Sequence, residues 1–113
     1  MLLDSGILTV CSLENKAQKG SMPQEKLIPR SEHYYGERTV GYGRQYAAKG
    51  VQEQVDMLVR IWQDRGVRIG MYILLETEEQ FRIDNVQHLL DEDGLRVTDI
   101  TLQRVDDLYD VEQ

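Results

Sequence analysis

The stretch Val55-Asp56-Met57-Leu58-Val59-Arg60-Ile61-Trp62 decides the fold class. Extended, it puts Val55, Met57, Val59 and Ile61 on one face and Asp56, Leu58, Arg60 and Trp62 on the other. A period of two is the mark of a strand with one buried face, whereas a helix would repeat its apolar positions three and four residues apart. Asp64-Arg65-Gly66 then supplies the turn chemistry that stops it.

On the C-terminal side the same grammar continues. Residues 71–75 (MYILL) predict a short strand, and the polar run 76–79 a hairpin turn. Residues 80–89 predict a strand in which Phe81 and Ile83 are in phase and Val86 is out of phase, so a β-bulge is expected near Asp84-Asn85. Residues 90–94 (LDEDG) read as a loop and 96–105 as a final strand, with Thr98, Ile100 and Leu102 on one face. Residues 106–113 form an acidic tail with room for one helical turn through Leu108 and Tyr109.

On the N-terminal side, residues 6–13 (GILTVCSL) and 33–42 (HYYGERTVGY) predict strands, being rich in apolar, aromatic and β-branched residues. Between them, residues 14–31 are polar, carry Gly20, Pro23 and Pro29 and hold no sustained period. They read as a long loop with at most a short strand at 26–28. In residues 43–52 Tyr46 and Gly50, then Ala47 and Val51, fall four apart, which predicts a short helix weakened by Gly50. The expectation is a mainly β chain: a small antiparallel β-barrel of about six strands with one short helical insert, in a single domain spanning residues 1–113. Its expected core is Val55, Met57, Val59 and Ile61 with Phe81, Ile83, Ile100 and Leu102.

Composition narrows the function classes. The 113 residues are 41% hydrophobic and 29% charged, with net charge −7. Residues 1–68 hold ten Lys/Arg and eight Asp/Glu, whereas residues 69–113 hold three Arg and twelve acids. Affinity for duplex DNA comes mainly from Lys and Arg neutralising phosphates, so this balance argues against a duplex binder. No apolar run approaches a membrane span, and the N-terminus lacks a secretory signal, so a cytosolic setting is expected. The single cysteine, Cys11, excludes an internal disulfide and a cysteine-based zinc site.

The chemistry-bearing residues form no constellation. Gly41-Tyr42-Gly43 lacks the third glycine of a dinucleotide fingerprint, because position 46 is Tyr46. His33 and His88 are far apart in sequence and belong to no paired metal motif. Cys11 reads as a small buried hydrophobe. Asp91-Glu92-Asp93-Gly94 starts like a calcium loop but meets Leu102 where a glutamate is required. Glu78 and Glu79 read as solvated turn residues. Tyr34, Tyr35, Tyr42 and Tyr46 cluster near Arg38 and Arg44 and fit a core or a protein interface better than a stacking platform, since Glu32 and Glu37 lie among them. No catalytic residue, cofactor site or metal site is expected.

The run YYGERTVGYGRQYAAKGVQEQVDMLVRI, followed by FRIDNVQHLLDEDGLRVTDITLQRVDDLY, resembles the head-closure, or head–tail joining, proteins of tailed phages and prophages. The pieces that carry the resemblance are Gln45-Tyr46-Ala47-Ala48-Lys49, residues 55–62, residues 71–75, Phe81-Arg82-Ile83 with Val86, and residues 98–105. It covers about two-thirds of the chain; the N-terminal third departs from it, and residues 14–31 do not match it residue by residue. The resemblance implies a homo-oligomeric ring in the virion, beneath the portal or adaptor proteins and joined to tail proteins. The DNA channel would be closed by loops preceding the strand at 55–62, and DNA would pass through without sequence-specific binding. It places the channel or ring-interface segment at Tyr42, Gly43, Arg44, Tyr46, Lys49, Gly50 and Gln52. Residues 41–54 would then move in the free subunit and order in the ring. The implied location is the virion connector, and the bacterial cytoplasm before assembly. Two other readings are a tail-completion protein of the same connector and a small barrel binding single-stranded nucleic acid.

Overall fold

A computed structural model describes residues 3–15, 20, 24–38 and 57–112. Strands hold 66% of the described residues, and none of them is helical. The strands are β1 (Gly6–Asn15), β2 (Glu25–Arg38), β3 (Met57–Trp62), β4 (Tyr72–Leu75), β5 (Gln80–Leu90), β6 (Arg96–Arg104) and β7 (Asp110–Val111). They run in the order β1-β4-β5-β6-β3-β2-β7, and β1 also pairs with β2, so the first six close into a ring. Every pairing around the ring is antiparallel, and β7 adds to β2 in parallel.

The alternation read from residues 55–62 sets the main core. Val59, Ile61, Ile83, Ile100 and Leu102 are fully buried and Phe81 nearly so, with Met57 packed at the margin. Leu8, Val10, Tyr35, Ile73 and Leu75 join the cluster from β1, β2 and β4. Val55 lies outside the described residues. The expected bulge is present: Ile83 opposes Leu102 and Asn85 opposes Thr101, leaving Asp84 without a cross-strand partner. That extra residue brings Val86 back against the core.

Both ends of the interval 14–31, read from composition as a long loop with at most a short strand at 26–28, are strand. Residues 25–31 belong to β2, and β1 extends to Asn15, so the two form one long hairpin. Pro29 obscured this, because a proline cannot donate to a ladder. It is accommodated at a second bulge, where Val10 opposes Ser31 and Cys11 opposes Pro29, so that Arg30 is the unpaired extra residue. Arg30 turns back across β1, its Nε 2.9 Å from Ser12 Oγ and its Nη2 3.0 Å from Glu14. The helical insert expected at residues 43–52 lies outside the described residues.

The C-terminal tail is also tied down, not by a helical turn but as β7. Lys26 pairs with Asp110 and Leu27 with Val111. The tail closes a second, smaller apolar cluster of Cys11, Leu27 and Tyr72, flanked by Leu13, Val105, Tyr109 and Val111. Tyr109 meets Tyr72 edge to face at 5.4 Å. The buried Gln80 side chain fixes Tyr109 by its backbone, donating to the carbonyl at 2.8 Å and accepting from the N–H at 2.9 Å. Burial in this cluster pushes the Cys11 thiol up to about 11, which keeps it protonated and inert at neutral pH.

Candidate functional site

The chain brings both of its histidines to one end of the ring. Between β3 and β4, residues 63–71 cross that end and send Val67, 3% exposed, down into the main core. Side chains from three strands hold this crossing segment. From β2, His33 Nε2 lies 2.9 Å from Asp64 Oδ2 and 3.1 Å from Ser31 Oγ. From β6, buried Thr98 accepts the Asp64 backbone N–H at 3.1 Å, and His88 of β5 meets the same hydroxyl through Nδ1 at 2.9 Å. Asp64 Oδ1 also accepts the Gly66 N–H at 2.8 Å, shaping the turn. At the far end of the segment, Gly70 N–H and Met71 carbonyl pair with Ile83.

Ser31, His33 and Asp64 are the residue types of a nucleophilic triad, but their geometry is different. In a triad the hydroxyl and the carboxylate use opposite ring nitrogens, so that a proton taken on one side is stabilised from the other. Here both sit on Nε2. The cluster therefore has no relay, and what it does is clamp a loop to the sheet. No group of three His, Cys, Asp or Glu suited to a metal ion occurs among the described residues.

The clamp has a pH signature. Burial raises the Asp64 carboxyl, but hydrogen bonds from the Gly66 N–H, His33 and Ser31 outweigh it and leave the group below its ordinary value of 3.8. A depressed folded-state value means that ionised Asp64 stabilises the fold above the unfolded-state value, and that this stabilisation is lost as pH falls through the folded-state value. The stability advantage of wild type over Asp64→Asn should accordingly shrink as the medium is taken below 3.8. Urea unfolding at a series of pH values measures it; a difference that does not change with pH would refute the assignment.

A second polar cluster lies on the opposite face of β3 and β6. Arg60, 6% exposed, pairs with Asp99 through two bonds, Nε to Oδ1 at 2.6 Å and Nη2 to Oδ2 at 3.0 Å. Glu92 approaches Nη1 at 3.9 Å. The Asp91-Glu92-Asp93-Gly94 run is the β5–β6 turn: Asp91 Oδ1 accepts the N–H groups of Asp93 at 2.9 Å and Leu95 at 2.8 Å, and Gly94 takes φ 80°. Asp91 thus holds the turn through Oδ1.

The sequence-predicted segment of Tyr42, Gly43, Arg44, Tyr46, Lys49, Gly50 and Gln52 lies outside the described residues. Its flanks are placed: Arg38 opposes Leu58, so residues 39–56 join two hydrogen-bonded neighbours at the end of the ring away from the His33–Asp64 clamp. Of the tyrosine cluster, Tyr34 is exposed and Tyr35 buried, and as strand neighbours they point to opposite faces, so these two offer no common stacking surface. Glu79 is engaged by Arg104 at 2.7 Å and by the Thr77 hydroxyl at 3.0 Å. The clamp itself was hidden in the sequence, because His33, Asp64, His88 and Thr98 meet only when the ring closes; an isolated Asp-x-Gly after a strand was its sole local trace.

No protein-family model and no curated protein matches the chain. Among solved structures, the chain is similar to the solution structure of protein SF1141 from Shigella flexneri 2a, with TM-score 0.61 and 14% identity over 91% of this chain and 94% of that one. At that identity the likeness speaks for the fold alone.

Proposed function

We propose that this protein is a structural component of a phage head–tail connector, forming a ring beneath the portal or adaptor that closes the DNA channel and joins the tail. The observation that carries this reading is the placement of the motifs behind the family resemblance. Residues 57–62, 72–75, 81–86 and 98–104 form four of the ring strands, and the F-R-I-x-x-V motif spans the bulge at Asp84. We read the closed ring of strands as a small β-barrel, a compact scaffold from which residues 39–56 depart between β2 and β3. The resemblance assigns the channel-closing role to that interval. The excess of carboxylates over residues 69–113 suits a channel wall past which phosphates slide, since like charge repels them. Portal or adaptor proteins and tail proteins are the partners of this reading, and the virion is its location.

The test is genetic. Removing the gene from an inducible lysogen that carries it should leave DNA-filled or DNA-leaking heads and unattached tails in electron micrographs, with tailed particles restored by expression in trans. Normal tailed particles in its absence would refute the proposal.

A further inference from the structure

The segment that follows β6 is held by parts of the chain remote from it in sequence. Val105 is still tied beside β5, its N–H donating to the Gln80 carbonyl at 3.1 Å. Residues 106–108 then join no strand, and all three are exposed. The hold resumes at Tyr109, whose N–H and carbonyl are both gripped by the Gln80 side chain and whose ring lies 5.4 Å from that of Tyr72. β7 pairs Lys26 with Asp110 and Leu27 with Val111, and the Glu112 N–H donates to the Leu27 carbonyl at 2.9 Å. These holding groups stand on β2, β4 and β5, not on β6, from which the segment comes.

Together they form a groove with a definite preference. A Gln80 amide that donates to one residue's carbonyl and accepts its N–H, beside a strand edge at Lys26 and Leu27, takes an extended polypeptide. The floor is apolar, made of Cys11, Leu27 and Tyr72 with Leu13 and Leu74 beside them. An alternating sequence suits it: Tyr109 and Val111 pack on the floor, whereas Asp110 and Glu112 are exposed. Asp110 also stands opposite Lys26 in the ladder. Residues 109–112 fit this groove position by position, and every copy of the chain carries them.

We propose that β7 is exchangeable, and that the groove of Gln80, Tyr72 and the Lys26–Leu27 edge docks residues 109–112 of a second copy of this chain. The contacts are the same whichever copy supplies the strand, so exchange changes only the course of residues 106–108. A two-residue strand on an exposed link opens at lower free energy than the ring that it leans on. The link gives a chain's own strand an effective concentration of about millimolar, so exchange shows near that concentration, or at lower ones when the resident strand is impaired. The inference stands on the groove and not on the connector reading.

Cys11 is the sole cysteine, is fully buried and lies in the floor, so its modification by a soluble maleimide reports an open groove. Tyr109→Ala/Val111→Asp in the full chain should raise the rate of modification about tenfold or more, with circular dichroism unchanged. A synthetic peptide of residues 105–113 at about millimolar concentration should bring the rate back toward that of wild type, and the peptide with the same two substitutions should not. Exchange between copies is read by mixing that variant, which keeps the groove, with Gln80→Ala, which keeps the strand. Each alone should sediment as a monomer, and the mixture should form pairs. Should the double variant lose its circular dichroism, Tyr109→Ala alone, which leaves the residues of the β7 ladder intact, takes its part. Cys11 as protected in the variant as in wild type, a peptide without effect, or a mixture that stays monomeric would overturn the docking site while leaving the connector reading untouched. Tailed particles without the gene would do the reverse.

Discussion

Replacing Val59 by Asp is expected to leave the chain unfolded at room temperature. Val59 is fully buried, opposes Ile100 on β6 and Glu37 on β2, and sits in the main core with Ile61 and Ile83. An aspartate there either carries an unpaired charge into a low-dielectric interior or takes up a proton to avoid it, and both cost several kcal/mol on top of the lost methyl contacts. A domain has only about 5–15 kcal/mol of stability to lose. The comparison that isolates the cause is Val59→Thr, which keeps the shape and buries one hydroxyl. That change should cost about 1–3 kcal/mol and leave a folded protein with a lower melting temperature. Circular dichroism and thermal melts on the three proteins are sufficient. An aspartate variant melting with wild type would mean that Val59 does not face the core.

The second large effect is expected at the Arg60–Asp99 pair. Both side chains are well withdrawn from solvent, 7% and 13% exposed, so neither can recover its hydration if the other is removed. Arg60→Met or Asp99→Leu alone should cost about 3–5 kcal/mol, the usual result of stranding one member of a buried ion pair. The double variant should regain most of that loss, because two apolar side chains leave no charge to strand. Denaturant unfolding of the four proteins closes a double-mutant cycle. Two single losses that simply add in the double would show that the side chains act independently and that the bidentate geometry contributes little.

These two results mark where the sequence was informative and where it was silent. The alternation from Met57 to Trp62 identified β3 and its buried face unaided, because a period of two leaves no other regular structure in which Val59 and Ile61 share a side. The phase slip between Ile83 and Val86 located a bulge for the same reason. Arg60 carried no comparable signal. It stands on the outward side of β3, where charge is ordinary, and only the register that sets Asp99 opposite makes it a buried partner. Residues 25–31 were misjudged because Pro29 and a polar composition describe the local chain, whereas strand identity there comes from β1 across the hairpin and from the accommodating bulge at Arg30. The His33–Asp64 clamp was illegible in principle from spacing, since its members come from β2, the β3–β4 crossing, β5 and β6. The residues expected to face a channel or a neighbouring subunit fall in the interval 39–56, outside what the structure describes.

The double pairing of β1 has a consequence for how the chain reaches this state. Leu8, Thr9, Val10 and Cys11 are bonded on one side to β2 and on the other to β4. The first of these ladders is a hairpin between near neighbours in sequence; the second joins positions more than sixty residues apart, from Cys11 with Tyr72 to Leu8 with Leu75. Loop-closure entropy must be met before such distant contacts give anything back, so the β1–β4 seam belongs late in folding, after the β1–β2 and β5–β6 hairpins. Until that seam closes, β1 and β4 each present an open row of backbone donors and acceptors, which is the usual template for pairing with the wrong chain. The order of events, more than the final stability, then governs how much of the newly made protein reaches the closed ring and how much is lost to aggregation on the way.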